Sequence, residues 1–201
     1  MRKITLSLIA ALAIGFSANA QTPDVKIGAK AGLNIANLNG SDTDGNSRAA
    51  FHIGAVAEIF INEKFSIQPE LLYSSQGLKY DVYDINVEGS TYSTSKSSES
   101  TKLDYITIPV MAKYYIVKGL NIQAGPQFAF NVNAKNAGED IKDDVKSFDF
   151  GVNFGAGYEL PIGLFFDARY NVGLTNVAKK FEGVQPKAKN GVFQLSVGYK
   201  F

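Results

Sequence analysis

The 201-residue chain contains no cysteine, no tryptophan and a single histidine, His52. The lack of cysteine excludes disulfides, thiolate metal sites and thiol nucleophiles. The sequence also lacks a phosphate-binding loop, a G-x-S-x-G motif and an H-E-x-x-H motif. It therefore predicts no catalytic, metal or cofactor-binding site, and we expect neither a cofactor nor enzymatic activity.

The chain has no excess of charge of either sign. It contains 20 Lys and Arg residues and 19 Asp and Glu residues, which gives a formal net charge of +1. So balanced a chain has no field that would attract nucleic acid, and we expect no nucleic-acid partner. After the N-terminal segment, no apolar run approaches the length of a membrane-spanning helix, so membrane residence would have to come from strands.

Residues 1–20 have the three parts of a secretory signal peptide. Arg2 and Lys3 form a positive start, Ile4–Phe16 is apolar, and Ala18-Asn19-Ala20 is a small-residue cleavage site. A retained membrane helix is the alternative, but about 13 apolar residues are too few to cross about 30 Å of hydrocarbon. The sequence therefore predicts export, removal of residues 1–20 and a mature chain that forms a single domain, residues 21–201.

Strict alternation of apolar and polar residues fills the mature chain and ends on the bare aromatic Phe201. This period of two indicates strands with one polar face and one apolar face. Eight such stretches occur, at residues 25–38, 50–61, 65–74, 104–116, 120–130, 147–160, 164–174 and 192–201. Each is long enough for a tilted membrane strand.

The connections alternate between turns of about three residues and loops of about ten to thirty, which is typical of outer-membrane barrels. We interpret residues 75–102, rich in Ser, Thr and Tyr, as an external loop that extends both flanking strands as a hairpin. An even strand count places both termini with the short turns. The predicted fold is an all-β, eight-stranded antiparallel up-and-down transmembrane β-barrel.

A soluble, secreted, lipocalin-like barrel that binds a small lipid is the structural alternative, since its strands also alternate. It would line its interior with bulky apolar groups. Here the polar face is rich in glycine, which suits a narrow interior. The apolar face carries the bulky side chains, which suits the outside of the barrel. Aromatic residues near strand ends are interpreted as interfacial girdles. They are Phe51, Tyr73, Tyr105, Tyr114, Phe128, Phe130, Phe148, Tyr158, Tyr170, Tyr199 and Phe201.

Three prolines, Pro69, Pro109 and Pro126, interrupt predicted strands. Each removes a donor from the hydrogen-bond ladder, and proline is normally confined to edges and bulges. We therefore expect β-bulges at these positions.

Four segments carry a family resemblance: Gln-Pro-Glu-Leu-Leu-Tyr at 68–73, Leu-Asp-Tyr-Ile-Thr-Ile-Pro-Val at 103–110, Gly125-Pro126 and the closing aromatic strand. They resemble the outer-membrane β-barrel ("porin family") proteins of Bacteroidetes. The resemblance covers the whole mature chain. It implies a small barrel of the OmpA/OmpX type in the outer membrane of a Gram-negative cell. It also implies insertion by the barrel-assembly machinery, with Tyr199 and Phe201 as the assembly signal.

Charged residues of both signs fall on the predicted inward face, five of each. The cations are Lys26, Lys30, Lys113, Arg169 and Lys200, and the acids are Glu58, Glu70, Asp149, Glu159 and Asp167. Unpaired charges in so narrow a lumen would cost several kcal/mol each, so a balanced set implies ion pairing. The core of this network is predicted to be Lys30, Glu58, Glu70, Lys113, Asp167 and Arg169. We interpret this network as a structural plug. A sharper hypothesis is a gate, in which Glu70, Lys113 and Arg169 exchange partners and admit small ions.

His52 is predicted to face inward near the outer end of its strand. A barrel enzyme that modifies lipid A is a remote alternative function, and it would need a Ser or Asp beside such a histidine. The sequence neighbours Phe51, Ile53 and Gly54 supply neither. We therefore interpret His52 as a hydrogen-bonding residue at the rim of the lumen.

The favoured function is a non-enzymatic outer-membrane protein with a structural or adhesive role and at most a narrow ion-conducting lumen. Outer-membrane lipid surrounds such a barrel, which we expect to be a monomer. An extracellular ligand would bind the external loops, predicted at residues 39–48, 75–102, 131–146 and 175–189.

Overall fold

The computed structural model describes residues 24–40, 45–88, 91–179 and 187–201. The predicted signal peptide, residues 1–20, lies outside the described residues. The described residues form nine strands: β1 (Val25–Asn39), β2 (Asn46–Asn62), β3 (Phe65–Glu88), β4 (Thr91–Tyr115), β5 (Leu120–Asn136), β6 (Glu139–Asp140), β7 (Phe148–Glu159), β8 (Leu164–Gly173) and β9 (Lys189–Lys200). In the described part of the chain, no helix is long and apolar enough to span a membrane.

Eight of these strands close into a ring in which every neighbour is antiparallel. The order is β4-β3-β2-β1-β9-β8-β7-β5, and pairing of β4 with β5 closes the circle. The two-residue β6 pairs with the end of β5 outside the ring. The predicted eight-stranded antiparallel barrel is therefore confirmed, and closure leaves the ring without an exposed edge.

Three tight turns of two to four residues lie at one end of the barrel. They are the turns at residues 63–64, 116–119 and 160–163, and the last two use Gly119 and Gly163 at a φ of 87°. The C-terminus lies at the same end, because the amide of Lys200 donates to the carbonyl of Gly163 at 2.9 Å. Because outer-membrane barrels have short turns on the periplasmic side and longer loops on the outside, we assign this end to the periplasm and the opposite end to the exterior.

The faces of the strands divide as the alternation predicts, with large apolar side chains outside. Leu33, Leu71 and Phe154 are each more than half exposed. The interior is lined by buried polar and charged side chains, among them Lys30, Asn34, Glu58, Gln68, Glu70, Lys113, Asp167 and Arg169. This is the reverse of a lipocalin interior, so the lipid-binding soluble barrel does not describe this fold.

One aromatic residue was assigned to the wrong side. Tyr105 is fully buried and points into the lumen, where its hydroxyl accepts from Asn190 Nδ2 at 3.3 Å. It is therefore not part of a girdle. Outward aromatic pairs do form near the exterior end, with ring centroids 5.7 Å apart for Phe51–Tyr73 and 5.5 Å for Phe130–Phe148.

The bulges expected at the prolines are absent. The register is the same on both sides of Pro69 and Pro109 along β3 and β4, and Pro126 pairs with Val152 without a shift. The register shifts of the described strands lie elsewhere, between Ser47 and His52, between Phe60 and Asn62, and between Asp104 and Tyr105. The ladder instead skips two pairs between β3 and β4 beside Pro109, so the lost donor is accommodated without an extra residue.

Strands β3 and β4 are longer than the alternating stretches predicted. They contain 24 and 25 residues, whereas the other ring strands contain 10 to 17. The predicted 75–102 loop is thus mainly a continuation of both strands. Beyond Lys79 on β3 and Thr101 on β4, the hairpin leaves the ring, because pairing with β2 and β5 ends there.

Candidate functional site

Two clusters of buried charge lie in the lumen at different heights. The middle cluster contains Lys30, Glu70, Asp167 and Arg169. Glu70 lies 2.7 Å from Arg169 Nη1 and 2.9 Å from Lys30 Nζ. Asp167 lies 2.8 Å from Arg169 Nη2, and its other oxygen accepts from Gln123 Nε2 at 2.9 Å. These four charged side chains are at most 1 % exposed, so each charge is compensated by a partner of opposite sign.

The lower cluster is centred on Glu58, towards the periplasmic end. Glu58 forms an ion pair with Lys200 and lies 3.5 Å from Lys113 Nζ. It also accepts from Ser66 Oγ at 2.5 Å and from Tyr115 Oη at 2.7 Å. A carboxylate with this many donors is held in its ionised, acceptor-only form.

Glu159 extends the lower cluster to the periplasmic rim. It lies 2.6 Å from Lys200 and 3.0 Å from Lys26. Lys26 is the most exposed member, at 38 % of its side chain. Its ammonium group also lies 5.1 Å from the ring centroid of Phe60.

Gln68 connects the two clusters. Its Oε1 accepts from Lys113 Nζ at 3.1 Å, and its Nε2 donates to Glu70 Oε1 at 2.7 Å. The six residues predicted as the network therefore form two groups, Lys30, Glu70, Asp167 and Arg169 in the first, and Glu58 and Lys113 in the second. The hypothetical gate residue Lys113 contacts Glu58 and Gln68 rather than Glu70.

Sequence reasoning missed an aromatic residue on the lumen face. Phe165 is 1 % exposed, and its ring centroid lies 4.6 Å from Lys200 Nζ. It lies in the run Leu164-Phe165-Phe166, where three apolar residues in a row hide the period of two. The absence of a side chain at Gly198 makes room for its ring, since a Cβ there would collide with it.

His52 occupies a third, neutral layer above the middle cluster. Its Nδ1 lies 2.8 Å from Asn34 Oδ1, and its Nε2 lies 2.9 Å from Ser196 Oγ. Because Asn34 Oδ1 can only accept, the histidine carries its proton on Nδ1 and accepts from Ser196. Sequence neighbours did not reveal this serine, which is 144 residues away. His52 is fully buried and points away from the lipid.

An apolar cluster closes the exterior end of the lumen. The inward side chains of Leu38, Leu78, Leu103, Tyr105, Ala129 and Ala134 pack with Val145, Val177 and Ala188 from the connections. Backbone hydrogen bonds tie these connections together, from Lys146 N to Val177 O at 2.7 Å and from Val177 N to Ala188 O at 2.8 Å. We call this group the outer cap. The sequence suggested only polar loops here.

The periplasmic end, in contrast, opens into a cavity of about 820 Å³. Its walls include Lys26, Phe60, Lys64, Tyr115, Lys118 and Glu159. The lower charge cluster forms the inner limit of this cavity. The lumen is therefore a vestibule that opens towards the periplasm and is obstructed above by charge pairs and the outer cap.

The two residues predicted as an assembly signal lie at the end of β9. Tyr199 is half exposed and Phe201 is 79 % exposed, with ring centroids 6.3 Å apart. The amide of Phe201 donates to the carbonyl of Ile27 at 2.9 Å. Both rings thus lie on the outside of the barrel, at its periplasmic rim.

A closed antiparallel barrel with an apolar exterior and a charged interior is the architecture of an outer-membrane protein. Residues 19–179 match the family described as outer membrane protein beta-barrel domain. The chain belongs to this family and is an outer-membrane β-barrel protein. No curated protein matches the sequence.

Solved structures of membrane barrels are similar to this fold. Neisserial surface protein A (NspA) aligns with a TM-score of 0.54 and 17 % identity, covering 90 % of this chain and 100 % of its own. Ail, the attachment invasion locus protein of Yersinia pestis, aligns with a TM-score of 0.47 and 12 % identity, covering 90 % of this chain and 100 % of its own. At these identities the likeness concerns the fold alone.

Proposed function

We propose that this protein is a non-enzymatic outer-membrane barrel that acts in adhesion through its exterior face. In this proposal it is a monomer of the small OmpA/OmpX-like, Bacteroidetes porin-family type. It is exported by the signal peptide of residues 1–20, and its mature residues 21–201 form one barrel domain inserted by the barrel-assembly machinery. The lumen is a structural plug that admits small ions at most, because paired charges fill it and the outer cap covers it.

The observation that carries this proposal is the hairpin that projects beyond the ring. Residues 80–88 and 91–99, which we call the outer ribbon, pair only with each other among the described strands. Tyr83 and Ile85 on its outward face are 61 % and 68 % exposed. A two-stranded ribbon with free edges and exposed apolar groups offers an extended protein segment both main-chain hydrogen bonds and side-chain contacts.

Removal of the ribbon tests the proposal. Replacing residues 81–98 with Asn-Gly leaves Tyr80 and Glu99 joined by a two-residue turn that suits a hairpin. The ring, the outer cap and the lumen clusters keep their residues in this variant. We expect normal levels of the variant in the membrane and normal heat-modifiable migration, which is the difference in electrophoretic migration between heated and unheated samples. We also expect that expressing cells no longer adhere to immobilised extracellular proteins. Adherence equal to that of the intact protein would contradict the proposal.

A second variant separates the edges of the ribbon from its side chains. Tyr83→Ser combined with Ile85→Ser keeps the strand pairing and removes the exposed apolar groups. Retained adherence would assign binding to the main-chain edges, and loss would assign it to the apolar face. In both cases the site remains on the ribbon.

The arrangement of His52 supports the non-enzymatic part of the proposal. Ser196 and His52 form the nucleophile–base pair that hydrolysis would need, but both are buried on the lumen face, below the outer cap. An acylated lipid in the membrane contacts the opposite face of the barrel. We expect lipid A from cells with the protein, without it, or with Ser196→Ala to give the same mass spectrum. A mass change that depends on Ser196 would overturn this assignment.

A further inference from the structure

Three exposed lysines form a row across the outside of β3, β4 and β5. Lys102 on β4 and Lys135 on β5 are direct partners in the antiparallel register. Lys79 on β3 pairs with Ser100, two residues from Lys102, and is therefore a diagonal neighbour of it. All three side chains are exposed. We call these residues the lysine row.

The row lies just above the apolar belt at the exterior end. On β4 it is four residues beyond Ile106, which pairs with the outward aromatic Phe130. At about 3.4 Å per residue and a tilt of about 40°, this spacing raises Lys102 about 10 Å above that aromatic level. The height matches the headgroup region of the outer leaflet, where Lys and Arg side chains meet lipid phosphates.

The protein itself leaves these charges poorly compensated. Among the described residues, no carboxylate lies within 4.0 Å of Lys79, Lys102 or Lys135. Like charges placed directly opposite each other on a sheet are destabilising. An anion placed against both Lys102 and Lys135 would relieve this repulsion.

Asp104 and Asp140, which lie near the row, accept hydrogen bonds from other groups. Asp104 accepts from Ser75 Oγ at 2.6 Å and from Asn133 Nδ2 at 2.8 Å. Asp140 is the register partner of Lys135, and its Oδ1 accepts from the amide of Lys142 at 2.9 Å.

We propose that the lysine row binds the phosphate groups of a phosphorylated glycolipid in the outer leaflet. The outward orientation and the height of the row place its ammonium groups at such phosphates while the adjoining belt contacts the acyl chains. Lys102 and Lys135 share one phosphate, and Lys79 extends the site along the headgroup. Binding fixes the rotational position of the barrel in the leaflet and supports the base of the outer ribbon.

The test uses the full mature protein in nanodiscs. The probe is lipid A carrying two phosphates, and the comparison lipid is the same molecule after enzymatic dephosphorylation. Inorganic phosphate is added separately to distinguish a free anion from a lipid headgroup. The variant Lys102→Gln/Lys135→Gln removes the centre of the row. The control Lys64→Gln/Lys118→Gln removes two exposed lysines from the periplasmic turns.

We expect the intact protein and the control to bind phosphorylated lipid A equally. We expect the row variant to bind about 30-fold more weakly, since each lysine near a phosphate surface contributes about 1 kcal/mol. Dephosphorylation of the lipid should weaken binding to the intact protein by a similar factor. Heat-modifiable migration verifies that each variant is folded.

Three outcomes would overturn the proposal. The row variant could bind as tightly as the control, the dephosphorylated lipid could bind as tightly as the phosphorylated one, or inorganic phosphate could saturate the site at the same concentration as the lipid. The last result would assign the row to a free anion. Because none of these readouts involves adherence, they are independent of the proposed role of the outer ribbon.

Discussion

Glu70 and Arg169 join opposite walls of the barrel through an ion pair of 2.7 Å. They belong to β3 and β8, which lie four strands apart in either direction around the ring of eight. Both side chains are at most 1 % exposed. This contact therefore crosses the lumen, as the proposed structural plug requires.

Breaking this pair on one side should be strongly destabilising. We expect Arg169→Ala to lower the free energy of unfolding by about 3–5 kcal/mol, because it leaves buried Glu70 and Asp167 with Lys30 as their remaining close cation. Urea unfolding of the refolded barrel in lipid vesicles measures the change. In the double variant Glu70→Gln/Arg169→Gln, Lys30 and Asp167 remain as a balanced pair. The double variant should therefore lose less unfolding free energy than Glu70→Gln and Arg169→Gln lose together as single variants. Additive losses would show that the two residues are not coupled.

The gate hypothesis yields a prediction for ion conduction. Lys113→Ala removes a cation of the lower charge cluster, but it leaves the Glu70–Arg169 pair and the outer cap in place. We expect single-channel conductance in a planar bilayer to stay at the level of the intact protein. Conductance should rise when Arg169→Ala is combined with Val177→Asp, which places a charge in the outer cap. A rise with Lys113→Ala alone would instead support a gate at this residue.

The amino-acid sequence predicts which face most strand residues occupy, because a period of two assigns sides without any knowledge of neighbours. It does not predict partners inside the lumen, which depend on the register of strands far apart in the chain. Lys113 was expected near Glu70 and contacts Glu58 instead, and Ser196 beside His52 could not be foreseen.

The outer cap was equally hidden from sequence reasoning. Val145 and Val177 lie in irregular connections, where they carry no periodic signal. Only the tertiary arrangement brings them over the lumen, where their burial is favourable. Tyr105 belongs to this cluster, and its position near a strand end made it resemble an interfacial residue.

The terminal aromatic residue should matter for assembly more than for stability. Phe201 is 79 % exposed to the outside of the barrel, so its truncation leaves no internal cavity. We expect deletion of Phe201, or Phe201→Ser, to lower the amount of folded protein in the outer membrane several-fold. The conservative variant Phe201→Tyr should assemble normally. Cell fractionation with heat-modifiable migration measures this amount, and normal levels of the deleted form would show that the assembly-signal assignment is wrong.

The outer ribbon contains a titratable pair that can be followed directly. Hydrogen bonding from Lys96, 2.9 Å away, and from Ser98 lowers the pKa of Asp81 below its ordinary value. Hydrogen bonding to Asp81 likewise raises the pKa of Lys96. The contribution of Asp81 to ribbon pairing is therefore present above the ordinary pKa of Asp and is lost as pH falls through the lowered pKa.

A carboxyl NMR titration of Asp81 in the refolded protein measures this shift. We expect Lys96→Met to return the pKa of Asp81 towards its ordinary value, because the hydrogen bond from Lys96 that lowers this pKa most is removed. The matched variant Lys79→Met removes a lysine outside the pair and should leave the titration unchanged. An identical titration in the protein with and without Lys96 would refute the pairing.

Site-directed labelling of intact cells tests the orientation and the exposed ribbon together. The chain lacks cysteine, so single variants report one position each. Ser95→Cys lies in the outer ribbon, and Lys118→Cys lies in a short turn that we assign to the periplasm. With a membrane-impermeant maleimide, we predict labelling of Ser95→Cys on intact cells and of Lys118→Cys only after the outer membrane is permeabilised. Labelling of Lys118→Cys on intact cells, with protection of Ser95→Cys, would contradict this account.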